Sequence, residues 1–302
     1  MTGAHHVVRP ARLMDLPGGP VEYRLEERGA RAVLVLHGGH MRAGLALGEE
    51  VLAEDDCTIL APSRPGYGRT PLSTGTSADG FADTVAQLCL HLGIDRLAAV
   101  VGQSAGGPTA VTMAARHPAL VQRLILQSAV SFLPWPGRAT RLGGRVVFAP
   151  HAERATWRAM HTLVRRAPDT GLRLVMRGLT TKPIGPVVAA LAPAHRSLLV
   201  ELFGQMRSGS GFHNDLHQMN TTALHDGHGT SSTRRAAEQV TQTTLVVASP
   251  HDGAVGFAHA QALADAIPRA RLITSRADSH MIWFGSDYPT IADTITGFLS
   301  QP

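Results

Sequence analysis

Short runs of apolar residues alternate with segments of helical periodicity along most of this chain. The helical pattern is clearest in residues 77–94, where Phe81, Val85 and Leu88 recur at the spacing of one helix face. We predict strands at residues 32–39, 57–62, 96–102, 121–130, 243–250 and 270–275. We predict helices at residues 42–55, 77–94, 106–118, 257–268 and 288–300.

This alternation predicts an α/β fold with a mostly parallel central sheet, because a helix between two strands carries the chain back to the same sheet edge. The predicted strands are almost continuously apolar, which is typical of strands covered by helices on both faces. Residues 21–29 differ, since apolar and polar residues alternate there. We therefore expect an antiparallel edge strand with one face in water.

Residues 131–237 interrupt the alternation. This segment contains Trp135, Phe148, Trp157 and Phe203, and its pattern predicts mostly helices, interrupted by Pro- and Gly-rich breaks. We predict a helical cap inserted into an α/β core that is formed by residues 1–130 and 238–302. Most of the cap's large apolar residues are expected to form its own core, and some to form an apolar wall over a binding site.

The composition is that of a globular protein. The chain has 302 residues, of which 44% are hydrophobic, so a sizeable core can be buried. No run approaches the ~20 apolar residues of a membrane-spanning helix, and the N-terminus lacks the apolar segment of a signal peptide. We expect a soluble, cytoplasmic protein that does not bind membranes. Cys57 and Cys89 are predicted to be small core residues, because two cysteines make neither a disulfide framework nor a zinc site.

The formal net charge is +5, and Lys182 is the single lysine among 28 basic residues. The arginines are dispersed, and no basic run with interleaved aromatic residues occurs, so nucleic-acid binding is not expected. A diffuse positive field would favour anionic substrates. The sequence leaves open whether the chain forms a homodimer.

One short segment carries the clearest chemical signal. In Gly-Gln-Ser-Ala-Gly, Ser104 lies between Gly102 and Gly106, directly after a predicted buried strand and before a predicted helix. Such a sharp turn lifts a serine hydroxyl above the sheet, and it needs glycines where side chains would collide with the neighbouring strand and helix. Ser104 is therefore the candidate nucleophile.

A nucleophilic serine needs a histidine base and an acid that orients it. Asp252 follows the predicted strand at 243–250, and His280 follows the next one, which gives the chain order serine, acid, histidine. Three rivals are less suitable. His251 adjoins the acid, His259 falls on the following helix, and Asp278 is too close to His280 in sequence.

An oxyanion hole would complete this site. We predict that the backbone N–H groups of Ala105 and Gly39 supply it, the second from the loop His37-Gly38-Gly39-His40 after an early strand. His40, Gln103 and Trp283 are the candidate substrate-binding residues.

Two further histidine groups carry less weight. His213 and His217 have a spacing that can hold a metal, but two ligands are too few, so we expect a cap helix and neither metal nor cofactor. Residues 225–230, His-Asp-Gly-His-Gly-Thr, are expected to form a surface loop.

Five motifs have to be considered together: Val-Leu-His-Gly-Gly, Ser-Arg-Pro-Gly-Tyr-Gly-Arg-Thr, Gly-Gln-Ser-Ala-Gly-Gly, Ser-Pro-His-Asp-Gly-Ala-Val and Asp-Ser-His-Met-Ile-Trp. This set resembles the α/β-hydrolase superfamily, in particular its cap-bearing branch of esterases and lactonases. Arg64 falls in the second motif, where we expect a structural turn. The resemblance implies that Ser104 forms an acyl-enzyme from an ester or lactone, with His280 as general base and Asp252 as orienting acid.

Because a cap over a hydrolase site contributes an apolar wall, the expected substrate is a small molecule with an apolar acyl or alkyl group. The alternatives are a C–C-bond hydrolase, an amidase or peptidase, or an acyltransferase with the same triad. A non-catalytic small-molecule receptor on this fold is the remaining alternative.

Overall fold

The structure is a computed structural model, and it describes residues 7–136, 152–221 and 232–301. Eight strands form one sheet in the order β1-β2-β4-β3-β5-β6-β7-β8. The strands from β4 onward in this order are parallel, while β2 pairs with β1 and β4 in antiparallel fashion. The mostly parallel sheet is as the sequence predicts. The strands are β1 (Arg12–Leu16), β2 (Gly19–Glu26), β3 (Ala32–Leu36), β4 (Thr58–Pro62), β5 (Leu97–Gln103), β6 (Arg123–Gln127), β7 (Thr243–Ala248) and β8 (Ala270–Thr274).

The strand expected at residues 21–29 is antiparallel, as predicted, but the expectation of an edge strand with one face in water is wrong in two respects. β1, which the sequence reading missed, is the true edge and covers β2 on its open side. Glu22 and Arg24 of β2 do not face water, because both are buried. Arg24 binds Glu49 with N–O distances of 2.6 and 2.8 Å, and Glu22 accepts a hydrogen bond from Ser63 Oγ at 2.6 Å. Paired polar side chains thus imitate the pattern of a half-exposed strand.

Helices cover both faces of the sheet, and one begins later than the sequence predicts. The helix expected at 42–55 is confined to Glu50–Glu54. Gly48 precedes it with φ of +66°, and a Cβ there would lie 2.0 Å from the indole of Trp283. The described helices are α1 (Glu50–Glu54), α2 (Ala78–His91), α3 (Gly107–Arg116), α4 (Glu153–Arg166), α5 (Pro168–Met176), α6 (Ile184–Ala189), α7 (Pro193–Phe203), α8 (Gly211–Thr221), α9 (Ser232–Gln239), α10 (Ala258–Ala266) and α11 (Tyr288–Leu299).

The apolar core has two main parts, one on each face of the sheet. One includes Val35, Val101 and Val247, and the other includes Leu34, Val100 and Val246, so neighbouring residues of a strand point into opposite layers. This explains the unbroken apolar runs in the sequence. Cys57 and Cys89 are both buried and unpaired, as predicted.

The helices α4 to α8 lie between β6 and β7, within the segment predicted to be a cap. Helices α4 to α7 pack on one another, with α5 contacting α4, α6 and α7. α9 contacts α3 and α10, which are helices that pack against the sheet. We call α4 to α8 the helical layer above the sheet's carboxyl edge; α9 is not part of it.

Candidate active site

Ser104 stands at the end of β5 in a conformation that serine rarely adopts. Its φ is +49°, and a short 3-10 turn of residues 104–106 leads directly into α3. A Cβ on Gly106 would lie 2.1 Å from the carbonyl oxygen of Leu36, and one on Gly102 would lie 2.6 Å from Cβ of Ala110. Both glycines are thus required by the neighbouring strand and helix, as the sequence motif predicts. The stored backbone strain is of the kind found at functional sites.

Asp252 and His280 are directly bonded. The Nδ1–H of His280 donates to Oδ2 of Asp252 at 2.6 Å, and both side chains are buried. The other oxygen, Oδ1, accepts from the backbone N–H groups of Ala254 and Val255, each at 2.8 Å. These bonds fix the carboxylate and, through it, the plane and tautomer of the imidazole, leaving Nε2 as its acceptor nitrogen.

The chain after β6 connects this pair with Ser104. Ser128 Oγ donates to the carbonyl of His280 at 3.0 Å, and the N–H of Val130 donates to the carbonyl of Ser104 at 2.9 Å. Because β5, β6, β7 and β8 are parallel and adjacent, their carboxyl ends bring Ser104, Asp252 and His280 to one edge of the sheet. Sequence reasoning did not identify Ser128, whose contact with His280 spans 152 residues.

A second contact missed from the sequence comes from the helical layer. Residues 179–182, here called the strap, follow α5 and cross both loops that carry the acid and the histidine. The carbonyl of Leu179 accepts from the N–H of His280 at 2.7 Å and from that of Gly253 at 3.2 Å. Thr180 pairs with Asp252 in an antiparallel bridge. The strap therefore joins the two loops.

Side chains reinforce the strap. Thr180 Oγ1 donates to the carbonyl of Asp278 at 2.5 Å and accepts from the N–H of Lys182 at 3.0 Å. Lys182 Nζ binds Asp278 Oδ1 at 2.5 Å, with both side chains about two-fifths exposed. Asp278, a rival for the role of orienting acid, is thus engaged with the strap, whereas the acid bonded to His280 is Asp252.

The glycine loop after β3 approaches the serine closely. A Cβ on Gly38 would lie 3.0 Å from Cβ of Ser104 and 3.6 Å from its hydroxyl oxygen. A Cβ on Gly39 would lie 3.5 Å from the ring of Phe212, which belongs to α8. The loop is therefore confined between the nucleophile turn and the helical layer. The roles of the Gly39 and Ala105 N–H groups stay predictions.

Two histidines, the buried His37 and the partly buried His40, hold this loop in place. His37 Nε2 accepts from the N–H of Arg64 at 3.0 Å, and its Nδ1–H donates to the carbonyl of Gly38 at 2.8 Å. His40 has φ of +63°, stacks against Phe212 at 4.2 Å between centroids, and its Nδ1 lies 2.8 Å from Ser208 Oγ. Burial, with a smaller contribution from the Arg64 charge, lowers the pKa of each imidazole to about 3. Both are therefore neutral at physiological pH.

Arg64 joins the loop after β4 to the helical layer. Its guanidinium forms a two-point ion pair with Asp215 of α8, at 2.7 and 2.8 Å, and both residues are buried. Tyr67 donates to the same carboxylate at 2.6 Å, and Arg64 Nε donates to the carbonyl of His37 at 2.9 Å. These contacts agree with the structural role predicted for Arg64. The sequence did not predict its partner in α8.

Two of the candidate substrate-binding residues make core contacts. Gln103 Nε2 donates to the carbonyl of Leu47 at 2.8 Å and lies 3.3 Å from Gln127 Oε1. The indole N–H of Trp283 donates to the same Gln127 oxygen at 3.3 Å. A part in substrate binding stays a prediction for His40, Gln103 and Trp283, and only His40 has contacts in the loop beside Ser104.

Three other histidines considered in the sequence lie on helices. His259 lies on α10, as expected, and its Nδ1 accepts from the N–H of Ser131 at 3.1 Å. His213 and His217 lie on α8. Within residues 7–136, 152–221 and 232–301, no group of three His, Cys, Asp or Glu residues is arranged to hold a metal ion. The loop expected at 225–230 lies outside the described residues.

Comparisons with known proteins agree with this geometry. A family model described as alpha/beta hydrolase fold matches residues 31–286. The chain is 29% identical to the uncharacterized hydrolase YcgS of Bacillus subtilis (strain 168), over 97% of this chain and 99% of the relative.

Two solved structures share the fold. An alpha/beta hydrolase fold protein from Nakamurella multipartita has a TM-score of 0.77 and 24% identity, covering 96% of this chain and 99% of its own. The enol-lactonase from Burkholderia xenovorans LB400 has a TM-score of 0.63 and 18% identity, covering 96% of this chain and 100% of its own.

Because the family model spans most of the chain, this protein belongs to the alpha/beta hydrolase fold family. It is an enzyme of that family, and the resemblance inferred from its motifs is confirmed. None of the helices in the described ranges combines the length and apolar character needed to cross a membrane.

Proposed function

We propose that this enzyme hydrolyses a carboxylic ester or lactone through an acyl-enzyme on Ser104. The observation that carries the proposal is the placing of a backbone-strained serine at the same sheet edge as a bonded His280–Asp252 pair. In the proposed reaction, His280 Nε2 takes the hydroxyl proton while Ser104 Oγ attacks the acyl carbonyl. Asp252 holds the imidazole and stabilises its cation.

The N–H groups of Ala105 and Gly39 are proposed to bind the oxyanion of the tetrahedral intermediate. Collapse of this intermediate releases the alcohol, which takes the proton from His280. Water, deprotonated by the same histidine, then attacks the acyl carbon and frees Ser104. The enol-lactonase among the structural relatives has this class of substrate in its name.

An apolar acyl or alkyl group is proposed because Ala105 belongs to a small buried apolar cluster between the core and the helical layer. Its side chains offer a hydrophobic wall beside the nucleophile. The cluster consists of Tyr67, Ala105, Val130, Trp135, Phe212, Leu216, Met219 and Val255.

The test is intact-mass labelling with a fluorophosphonate, which reacts with activated serines. We expect one adduct on the wild type, none on Ser104→Ala, and one on Ser300→Ala, a matched control at an exposed helix end. Loss of Ser104 should abolish ester hydrolysis because the triad acts as a unit. An adduct on folded Ser104→Ala, or none on the folded wild type, would contradict the proposal.

A panel of esters, lactones, amides and β-diketones separates the reaction types that share this triad. We expect turnover of esters or lactones that increases with acyl chain length. Acyl transfer would show as a new ester or amide product when an alcohol or amine is added. Stoichiometric binding of a small molecule without turnover would favour the hypothesis of a non-catalytic receptor and overturn the proposed mechanism.

A further inference from the structure

A cleft outside the proposed triad brings four arginines together. It has a volume of about 390 Å³ and lies where the loop after β3 meets the start of α4 and the chain before α8. Arg42 comes from the loop, Arg154 and Arg158 from successive turns of α4, and Arg207 from the chain before α8. Glu153 is the single acidic residue among those that line it. We call this site the arginine cleft.

Several arginines elsewhere in the molecule are paired with carboxylates. Arg64 is paired with Asp215, Arg24 with Glu49, and even the exposed Arg116 with Asp83. In the arginine cleft, none of the four guanidinium groups lies within 4.0 Å of a carboxylate of the described residues. Four guanidinium groups without a carboxylate partner among the described residues therefore meet in one cleft.

Glu153 does not neutralise the cleft through ion pairs. Its Oε1 accepts from the backbone N–H groups of Ser208 and Gly209, at 3.1 and 3.2 Å, and its side chain is buried. Burial lowers the pKa of Arg42, and the nearby charge of Arg207 lowers it further against the opposing effect of Glu22. The like charges thus repel one another, and a bound anion would relieve that repulsion.

The arginine cleft is connected to the loop beside Ser104. The N–H of Arg207 donates to the carbonyl of His40 at 3.0 Å, and Arg42 Nη1 donates to the carbonyl of Gln205 at 2.6 Å. Ser208 Oγ, which bonds His40 Nδ1, also accepts from the indole of Trp157 at 2.8 Å. An anion held by Arg42 and Arg207 would therefore act on the segment that orients His40.

We propose that the arginine cleft is a binding site for a small-molecule anion, a phosphate or carboxylate group, held by the guanidinium groups of Arg42, Arg154, Arg158 and Arg207. Guanidinium groups bind such oxyanions with paired, charge-assisted hydrogen bonds. The volume suits a phosphate or a small organic acid and not a polymer. The anion belongs either to the enzyme's own substrate or to a separate ligand that acts through the His40 loop.

The binding test uses inorganic phosphate and glutarate, titrated by calorimetry at low ionic strength, where exposed charges are least screened. We expect saturable one-to-one binding to the wild type for at least one probe. The double variant Arg154→Gln/Arg158→Gln should weaken it by about tenfold or more, as two lost charge-assisted contacts imply. Both side chains are exposed, so the fold should be retained.

The matched control is Arg96→Gln/Arg271→Gln, which removes the same charge from exposed positions at the amino ends of β5 and β8. It should bind as the wild type does. Equal weakening in both double variants would show a diffuse charge effect only, and it would overturn the proposal. The absence of saturable binding to both probes would also overturn it.

A rate measurement then separates the two sources of the anion, and this step alone rests on the proposed esterase activity. If the anion belongs to the substrate, the KM of a glutarate monoester should rise about tenfold in the Arg154/Arg158 double variant while that of a neutral butyrate ester stays constant. If it is a separate ligand, phosphate should change the rate on the neutral ester in the wild type and not in the double variant.

Discussion

The helical layer is attached to the sheet domain in two ways that differ in chemistry. At one attachment, Asp215 of α8 receives Arg64 and Tyr67 in a buried cluster of side chains. At the other, the strap contacts the loops of Asp252 and His280 largely through backbone hydrogen bonds, with the half-exposed pair Lys182–Asp278 at its margin.

This difference separates stability from positioning. A buried charge whose partner is removed is left uncompensated, so the first attachment should control whether the protein stays folded. The strap bonds directly to the loops of the proposed acid and base, so changes there should alter turnover more than folding. Each of the following predictions tests that division.

The largest effect is expected at Asp215. Asp215→Asn keeps the shape of the side chain but leaves the Arg64 charge buried without a counter-ion, which should lower the free energy of unfolding by about 3–5 kcal/mol. Urea unfolding at pH 7.5 measures it. Asp83→Asn is the matched control, because its partner Arg116 is exposed, and it should cost less than about 1 kcal/mol.

Should Asp215→Asn fail to fold, Tyr67→Phe provides the milder test, since it removes one hydrogen bond from the same carboxylate. We expect a loss of about 1–2 kcal/mol. Equal costs for Asp215→Asn and Asp83→Asn would show that the buried cluster is no stronger than a surface pair.

The loop of His37 and His40, which Arg64 contacts, also predicts a pH dependence of the free energy of unfolding. The folded-state pKa values of His37 and His40 are about 3, lowered by burial first and by Arg64 second. In the unfolded chain both should titrate near their ordinary value of about 6.5. The two neutral imidazoles therefore contribute fully to the free energy of unfolding above about pH 6.5. This contribution is lost as the pH falls toward 3, by about 1.4 kcal/mol per pH unit for each histidine.

Free energies of unfolding at pH 7.5, 6.5 and 5.5 measure this slope. His37→Asn should make it shallower, whereas His91→Asn, at an exposed histidine, should leave it unchanged. Parallel slopes in all three proteins would contradict the assignment of a buried neutral imidazole at position 37.

At the strap, Thr180→Val should act on turnover. The change removes the hydroxyl that links Asp278 and Lys182 without changing the size of the side chain. If the strap positions the His280 loop, kcat should fall about tenfold, equivalent to about 1.4 kcal/mol, with KM nearly constant. Thr294→Val, on the exposed face of α11, is the control and should leave both constants unchanged. A rise in KM alone would assign the hydroxyl to substrate binding.

The smallest effect is expected at Lys182. Lys182→Met removes a pair with Asp278 that is about two-fifths exposed, and such pairs contribute less than about 1 kcal/mol. Both stability and kcat should stay near wild type, because the backbone bonds of Leu179 and Thr181 remain. A loss of kcat as large as that of Thr180→Val would mean that the ion pair, and not the backbone, holds the strap.

The sequence predicts the parts of this molecule that depend on neighbours in the chain. The parallel strands follow from local apolar runs, and the strained turn at Ser104 follows from Gly102 and Gly106, which its packing requires. Asp252 and His280 were predicted from their positions just after successive strands, and the structure joins them by a hydrogen bond.

What could not be predicted depends on contacts between distant segments. Asp215 is separated from Arg64 by 151 residues, and Thr180 from Asp278 by 98, and neither pair leaves a periodic pattern. The burial of Glu22 and Arg24 was missed for the same reason, since their partners lie on other elements. Gly48, which precedes the short α1 at positive φ, packs against Trp283, a residue far along the chain.

Lys182 gives the strap a practical consequence. Amine-directed reagents would find a single lysine side chain in this sequence, and it lies on the segment that crosses the loops of Asp252 and His280. Coupling the enzyme to a support through lysine would therefore tether it at one defined point, directly beside its proposed catalytic centre. A lysine introduced on a remote surface, combined with Lys182→Arg, would move that tether away from the chemistry.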